Sequence, residues 1–346
     1  MPFLANQIIK DAAEVFNRNL PLWKELAGKR VLITGGTGIL GLNLMAVLSL
    51  VNQTHKLGSL SYTSVQNYSF PNKIIDDIAP GSFWWQADLT RNTGEIMLPE
   101  VDVLIHAAGY GQPAKFMADP VKTIALNTTV MIYLNRHLAK GGKALYVSSS
   151  EIYSGNDNTP HHEDYVGKTA PQHPRGAYIE SKRCGEALAT AFSATGKTWR
   201  SARVSLSYGP GTRKNDDRVL NQFIKQALLD GSISCKDGGY ASRTYNYVSD
   251  AVEMMFNILL RGSQPVYNVG GVSTLTIRQL ATTIARLTGT VASFPEENGQ
   301  NLVSAPAVVK SSISRYQDEF GRKAFVNMVD GLTRTINWQK ILYGKV

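Results

Sequence analysis

Val31-Leu32-Ile33-Thr34-Gly35-Gly36-Thr37-Gly38-Ile39-Leu40-Gly41, running on into Leu42-Asn43-Leu44-Met45-Ala46-Val47-Leu48, decides the fold of this chain. The short apolar run at its head reads as a strand buried on both faces, the pattern of a parallel sheet. Glycines at 35, 38 and 41 then allow a tight turn, close approach of backbone to a pyrophosphate, and close packing of helix on strand. The apolar helix opening at Ile39 and Leu40 turns its N-terminal N–H groups toward the phosphates. Gly35, Gly38, Ile39, Leu40 and Gly41 are therefore candidate contacts for a dinucleotide.

Working outward, strands are expected at 31–34, 58–63, 82–87, 102–106, 143–148, 199–205 and 264–268. Helices are expected at 39–51, 119–139 and 176–194. The alternation is that of an α/β protein with a doubly wound parallel sheet of Rossmann type. After Val204 it becomes irregular, which suits a smaller C-terminal substrate-binding lobe over residues 204–346. The nucleotide-binding part is assigned to 29–203, with a returning segment near 244–270. Residues 1–28 carry a helical pattern of Ile8, Ile9, Ala12, Ala13, Val15 and Phe16, an extension expected to pack on the body or on a second subunit.

At 346 residues, with 43% hydrophobic and 18% charged residues, the chain has an ordinary soluble composition and room for two lobes. Its longest apolar run, near Leu42 to Val51, falls short of a membrane span, and the N-terminus lacks a signal-peptide pattern. The expectation is a cytoplasmic protein with no membrane partner. The net charge of +9 comes from scattered Lys and Arg without a basic run, so a small anionic substrate accounts for it and no nucleic-acid partner is expected. Cys184 and Cys235 make no disulfide framework and are read as reduced and structural. His161-His162 is half a metal site at most, and no metal is expected.

The chemistry centres on Tyr178 and Lys182, preceded by Ser148-Ser149-Ser150-Glu151-Ile152-Tyr153. Residues four apart share a helix face, so the ammonium is expected to lie beside the phenol and lower its pKa. Such a phenolate can take a proton from a substrate hydroxyl, which an ordinary tyrosine with a pKa of about 10 does poorly at neutral pH. With a dinucleotide close by, the pair points to oxidation of an alcohol. The helices near Pro120 to Ala139 and around Tyr178 are apolar on more than one side, which suits a homodimer.

With the glycine turn, Asp88-Leu89, His106-Ala107-Ala108-Gly109, Asn127, Ser149, Tyr178, Lys182 and Tyr208-Gly209-Pro210 in order, the chain resembles the extended short-chain dehydrogenase/reductases that act on nucleotide sugars. The likeness spans roughly residues 29–340. It implies NAD as cofactor, with Asp88 and Leu89 at the adenine, Ala107 and Ala108 along the cofactor, and Asn127 in the same site. Ser149 would bond the hydroxyl at carbon 4 of the sugar, Tyr178 would remove its proton, and Lys182 would also hold the nicotinamide ribose. The resulting 4-keto sugar is the intermediate from which epimerases, dehydratases and decarboxylases diverge.

Ser150-Glu151 after the serine is similar to the UDP-glucuronate decarboxylases, as are His162 to Gly167, Pro174 to Tyr178, Asn215 to Val219 and Arg243 to Asp250. That resemblance implies a UDP-sugar substrate, with Glu151 and Ser150 near carbon 5. Arg218 and Arg243 are candidates for the substrate diphosphate, and Tyr208 for the substrate pocket. A nucleotide-sugar 4,6-dehydratase or epimerase is the alternative within the family. An inactive cofactor-binding regulatory protein is the alternative outside it.

Three departures bear on substrate and cofactor. Leu206 stands where such proteins carry a phosphate-binding asparagine, and Ser154-Gly155 follows Tyr153 where a glycine is expected at once. The second strand, Leu60-Ser61-Tyr62-Thr63-Ser64, ends without the acid that would hold the adenosine ribose. No arginine stands there to receive a 2'-phosphate either, so the strand end favours NAD only weakly and does not exclude NADP.

Overall fold

The computed structural model describes residues 2–64, 74–91, 97–295 and 308–345. The chain begins with α1 (Pro2–Arg18), β1 (Arg30–Thr34), α2 (Ile39–His55), β2 (Ser59–Ser64), α3 (Ile74–Ile78), β3 (Phe83–Gln86) and β4 (Val101–His106). Next come α4 (Pro113–Ala118), α5 (Pro120–Asn127), α6 (Thr129–His137), β5 (Leu138–Ser149), α7 (Gly176–Ser193) and β6 (Thr198–Val204). The remainder holds β7 (Leu206–Tyr208), α8 (Val219–Leu229), β8 (Ser232–Ser234), β9 (Ser242–Tyr247), α9 (Val248–Arg261) and β10 (Val266–Val269). It closes with β11 (Ser273–Thr276), α10 (Ile277–Thr288), β12 (Val291–Ser293), β13 (Val308–Val309), α11 (Ser314–Phe320) and α12 (Met328–Tyr343).

Seven strands form one sheet in the order β10-β6-β5-β4-β1-β2-β3, every pair parallel. The seven expected strands are these seven. Side-chain alternation divides them between two cores. Val31, Ile33, Val103, Ile105, Leu145 and Val147 face the first core with α1, α2 and α9. Leu32, Leu104, Ala144 and Tyr146 face the opposite core with the helices that precede and follow β5. The chain order reverses between β1 and β4, and the crevice at that switch is where such sheets bind ligands. The ends of β1, β4 and β5 carry the glycine turn, Ala107-Ala108 and Ser149.

A third core lies beyond the sheet, built from α8, α10, α12 and β9 around Phe223, Ile224, Leu280, Ile284 and Leu332. The chain does not stay there, since α9 and β10 return to the large sheet. α1 packs on the body: Asp11 is fully buried, accepts from Tyr247 Oη at 2.6 Å and from Arg334 Nη1 at 2.7 Å, and Trp338 Nε1 donates to Leu4 O at 2.9 Å.

The single helix expected over 119–139 is instead two, with the break at Thr128 and the strand already begun at Leu138. A buried histidine explains the break. His106 Nε2 donates to the Leu126 carbonyl at 2.8 Å, occupying the acceptor a continuous helix would offer to its own N–H four residues on. Cys184 is exposed, which corrects its reading as a structural residue, whereas Cys235 is buried.

Candidate active site

The glycine turn has the shape its residues require. Gly35 lies at φ +74, and a Cβ there would stand 2.8 Å from the Ala108 backbone. A Cβ on Gly41 would fall 2.7 Å from Gly36 Cα, so helix and turn touch directly. At Gly38 a Cβ would meet only the Gly35 carbonyl, at 3.4 Å, which leaves a backbone face open to a ligand. No side chain caps the first turn of α2 and no acid lies in it. Uncapped N–H groups on a 17-residue helix beside an open glycine face fit a dinucleotide pyrophosphate.

Ala107 and Ala108 are held against this turn, since Ala107 N donates to Thr34 O at 3.1 Å and Ala108 N to Thr34 Oγ1 at 3.2 Å. Asp88 stands past the end of β3, where it accepts from Lys122 Nζ at 2.7 Å and from Thr90 Oγ1 at 2.7 Å. Its carboxyl is held below the usual range although burial opposes this, because Lys122 and Thr90 bond its charged form. Leu89 turns its side chain into the core below.

Ser149, Tyr178 and Lys182 meet at the ends of β5 and on the first turns of α7. Ser149 bonds the Tyr178 hydroxyl and also accepts from Glu151 N at 3.2 Å. The Tyr178 ring stacks on Phe116 of α4, with centroids 4.3 Å apart and planes 13° from parallel. Lys182 Nζ lies 5.8 Å from the Tyr178 ring centroid and donates to the Val147 carbonyl at 2.8 Å. A Cβ on Gly109 would lie 3.7 Å from that nitrogen, so Lys182 points into the crevice beside the end of β4.

The electrostatics correct one expectation. Burial pushes the Tyr178 phenol up to about 12, with Ser149 drawing it partway back, so Lys182 does not hold it below its ordinary value. Burial likewise pushes the Lys182 ammonium down to about 7, with Glu186 favouring its charge. The reason is geometric: Nζ is spent on a backbone carbonyl, and the pocket disfavours both ions before a ligand enters.

Asn127 is bonded to its neighbours. It accepts from Tyr146 Oη at 2.9 Å and donates to Ser181 Oγ at 3.0 Å, while Lys182 Nζ stands 4.9 Å over the Tyr146 ring. Asn127, Tyr146 and Ser181 thus brace the strand and helix that present Ser149 and Lys182. Tyr146 reaches Asn127 across Gly185, where a Cβ would lie 2.4 Å from its hydroxyl. Beneath them Glu186 takes a bidentate pair of bonds from the buried Arg203, Nε to Oε1 and Nη2 to Oε2, and a 2.6 Å bond from Ser148.

Glu151 opens a charged rim. Arg175 Nη2 donates to Glu151 Oε1 at 2.8 Å, its Cζ lies 5.6 Å from the Phe116 centroid, and among the described residues its buried Nε has no hydrogen-bond partner. Arg243 shares this rim: Glu151 favours its charge and Arg175 opposes it, although burial is the larger influence and lowers its pKa. Arg175 was not singled out as a site residue from the sequence; its position three residues before Tyr178, on the first turn's face, was the available signal. Ser150 stands in the same 3-10 turn, Ser150–Tyr153.

The other substrate candidates lie differently. Arg218 is locked to Asp216, with Nη2 to Oδ2 at 2.5 Å, and donates to the Ser207 carbonyl. Tyr208 is 3% exposed, packed edge-on against Tyr245 and Tyr247 in the third core. His161 stacks on Tyr153 at 4.8 Å, donates from Nδ1 to Asn158 O, and pairs its backbone with Lys310 and Ser312.

One residue at the cofactor crevice escaped the sequence reading. Arg213, in the loop after β7, donates from Nη2 to Thr37 Oγ1 at 3.1 Å and to Thr37 O at 3.3 Å. Thr37 Oγ1 in turn lies 3.0 Å from Ser64 Oγ at the end of β2. The two arms of this corner are 176 positions apart, and no local pattern links them.

Comparison with known proteins agrees with this geometry. A model of the NAD dependent epimerase/dehydratase family matches residues 31–270. A UDP-glucuronic acid decarboxylase of Xenopus tropicalis is 29% identical over 338 residues, which cover 95% of this chain and 77% of that protein. An epimerase of Methanothermobacter thermautotrophicus superposes with a TM-score of 0.80 at 18% identity, covering 95% of this chain and 97% of the other. A UDP-glucose 4-epimerase of Thermotoga maritima, solved with UDP-glucose, superposes with a TM-score of 0.74 at 17% identity, over 91% and 99%.

Proposed function

Because the chain belongs to the NAD dependent epimerase/dehydratase family, we propose that it is a nucleotide-sugar decarboxylase acting on a UDP-linked sugar acid. The observation that carries this reading is the Glu151–Arg175 pair beside the bonded Ser149 and Tyr178. NAD, if bound beside Tyr178 and Lys182, would supply the acceptor for hydride from carbon 4, would give that hydride back to the 4-keto pentose after carbon dioxide leaves, and would favour the Tyr178 phenolate by its positive charge. Ser149 orients the carbon 4 hydroxyl, and Tyr178 takes its proton. A carboxylate on carbon 5 then lies β to a ketone, so carbon dioxide can leave as electrons pass into the enolate. The Tyr178 hydroxyl, now protonated, donates to that enolate oxygen. Arg175, with Arg243 at the same rim, is suited to meet the substrate carboxylate, and the bond from Arg175 sets Glu151 beside Ser149 and Tyr178.

The identity with a UDP-glucuronic acid decarboxylase supports this choice over 4,6-dehydration or epimerisation. The test is incubation with UDP-glucuronate, UDP-glucose and dTDP-glucose in turn, with products identified by mass. Loss of carbon dioxide from the first is expected; loss of water from a hexose, or no product from any, overturns the reading.

A homodimer in the cytoplasm completes it. Val121, 76% exposed, with Ile124 and Ile132, gives α5 and α6 an apolar outer face suited to a second copy. The exposed free thiol of Cys184 suits a reducing compartment. Among the described residues no helix is long and apolar enough to cross a membrane.

A further inference from the structure

We propose that the adenosine corner of the crevice accepts a 2'-phosphate, so that this chain binds NADP as well as NAD. An acid at the end of the second strand holds the ribose hydroxyls of NAD and repels a 2'-phosphate. Here Ser64 ends that strand, and its hydroxyl neither carries that charge nor blocks the position. Ser64 Oγ lies 3.0 Å from Thr37 Oγ1, and Thr37 Oγ1 lies 3.1 Å from Arg213 Nη2. One guanidinium and two hydroxyls thus converge where the glycine turn meets the end of β2.

Arg213 is suited to receive an anion there. It is half-buried and, among the described residues, makes no ion pair; burial draws its pKa down and only Asp216 works against this. Its hydrogen bonds go to a carbonyl and a hydroxyl of Thr37, both weak partners for a guanidinium that a phosphate can meet with two parallel bonds. The pyrophosphate of any dinucleotide lies close by at the start of α2, so the test must separate the two phosphates.

Calorimetric titration of the nucleotide-free protein with ADP-ribose and with 2'-phospho-ADP-ribose does this, and it involves no sugar substrate. Wild type is expected to bind the two within about tenfold of each other, a difference below about 1.4 kcal/mol. Arg213→Ala should weaken the 2'-phosphorylated ligand at least about tenfold more than the plain one, the scale of one charge-assisted contact. Ser64→Asp, which leaves Arg213 in place, should weaken the phosphorylated ligand alone. Equal losses for both ligands in Arg213→Ala assign the residue to the pyrophosphate and overturn the proposal. So does wild-type protein that disfavours the phosphorylated ligand by more than that margin.

Discussion

Replacing Lys182 by methionine should make the ligand-free protein more stable at pH 6. Lys182 is 5% exposed, and burial brings its ammonium down to about 7 from an ordinary 10.5. The folded value lies below the unfolded one, so between them the unfolded chain holds a proton that the native state has released. Stability therefore rises with pH across that window, by at most about 1.4 kcal/mol per pH unit, and below it the whole penalty is present. Over roughly 3.5 pH units this amounts to at most about 5 kcal/mol.

Methionine recovers that penalty but leaves the Val147 carbonyl without its 2.8 Å donor. The lost bond costs about 1–3 kcal/mol. A net gain of at most about 2–4 kcal/mol at pH 6 is expected, read by urea unfolding with an unchanged slope. Repeated up to pH 10, the advantage should shrink above about pH 7 as the wild-type lysine loses its proton, and then change sign, because the variant still lacks the bond to Val147. A variant less stable than wild type at pH 6, or a difference independent of pH, refutes the view of Lys182 as a cation held against burial.

Tyr178→Phe should lower turnover by about 10²–10⁴-fold, the usual worth of a general base, while cofactor binding measured by fluorescence stays within a few-fold. Arg203→Met should destabilise the fold by at most about 3–5 kcal/mol, because the half-buried Glu186 keeps only its bond from Ser148; adding Glu186→Gln should recover much of this in chemical denaturation. Gly41→Ala places a Cβ within 2.7 Å of Gly36 Cα, so thermal melts should show a loss of about 1–3 kcal/mol and calorimetry a weaker affinity for NAD.

The sheet and its glycine turn were legible in the sequence because their signals are local. The apolar runs of the seven strands, the spacing of Gly35, Gly38 and Gly41, and the four-residue step from Tyr178 to Lys182 each lie within a few residues. The periods of strand and helix convert such spacings directly into faces. Ser149 and Glu151 entered only through the resemblance of their segment to family motifs, because no periodicity singles out a serine or a glutamate just past a strand.

What the tertiary structure decided came from distant pieces of chain meeting at low dielectric. The break at Thr128 is made by His106 from a neighbouring strand, and the setting of Glu151 by Arg175, which the chain brings back 24 positions later. Adjacency on a helix brought Lys182 near Tyr178, as expected, but burial and the Val147 carbonyl determined their charges, against the expected direction. Arg213 reaches Thr37 because the loop after β7 folds over the start of α2. Periodicity encodes which way a side chain faces; desolvation and long-range pairing depend on what else arrives, and only the folded chain determines that.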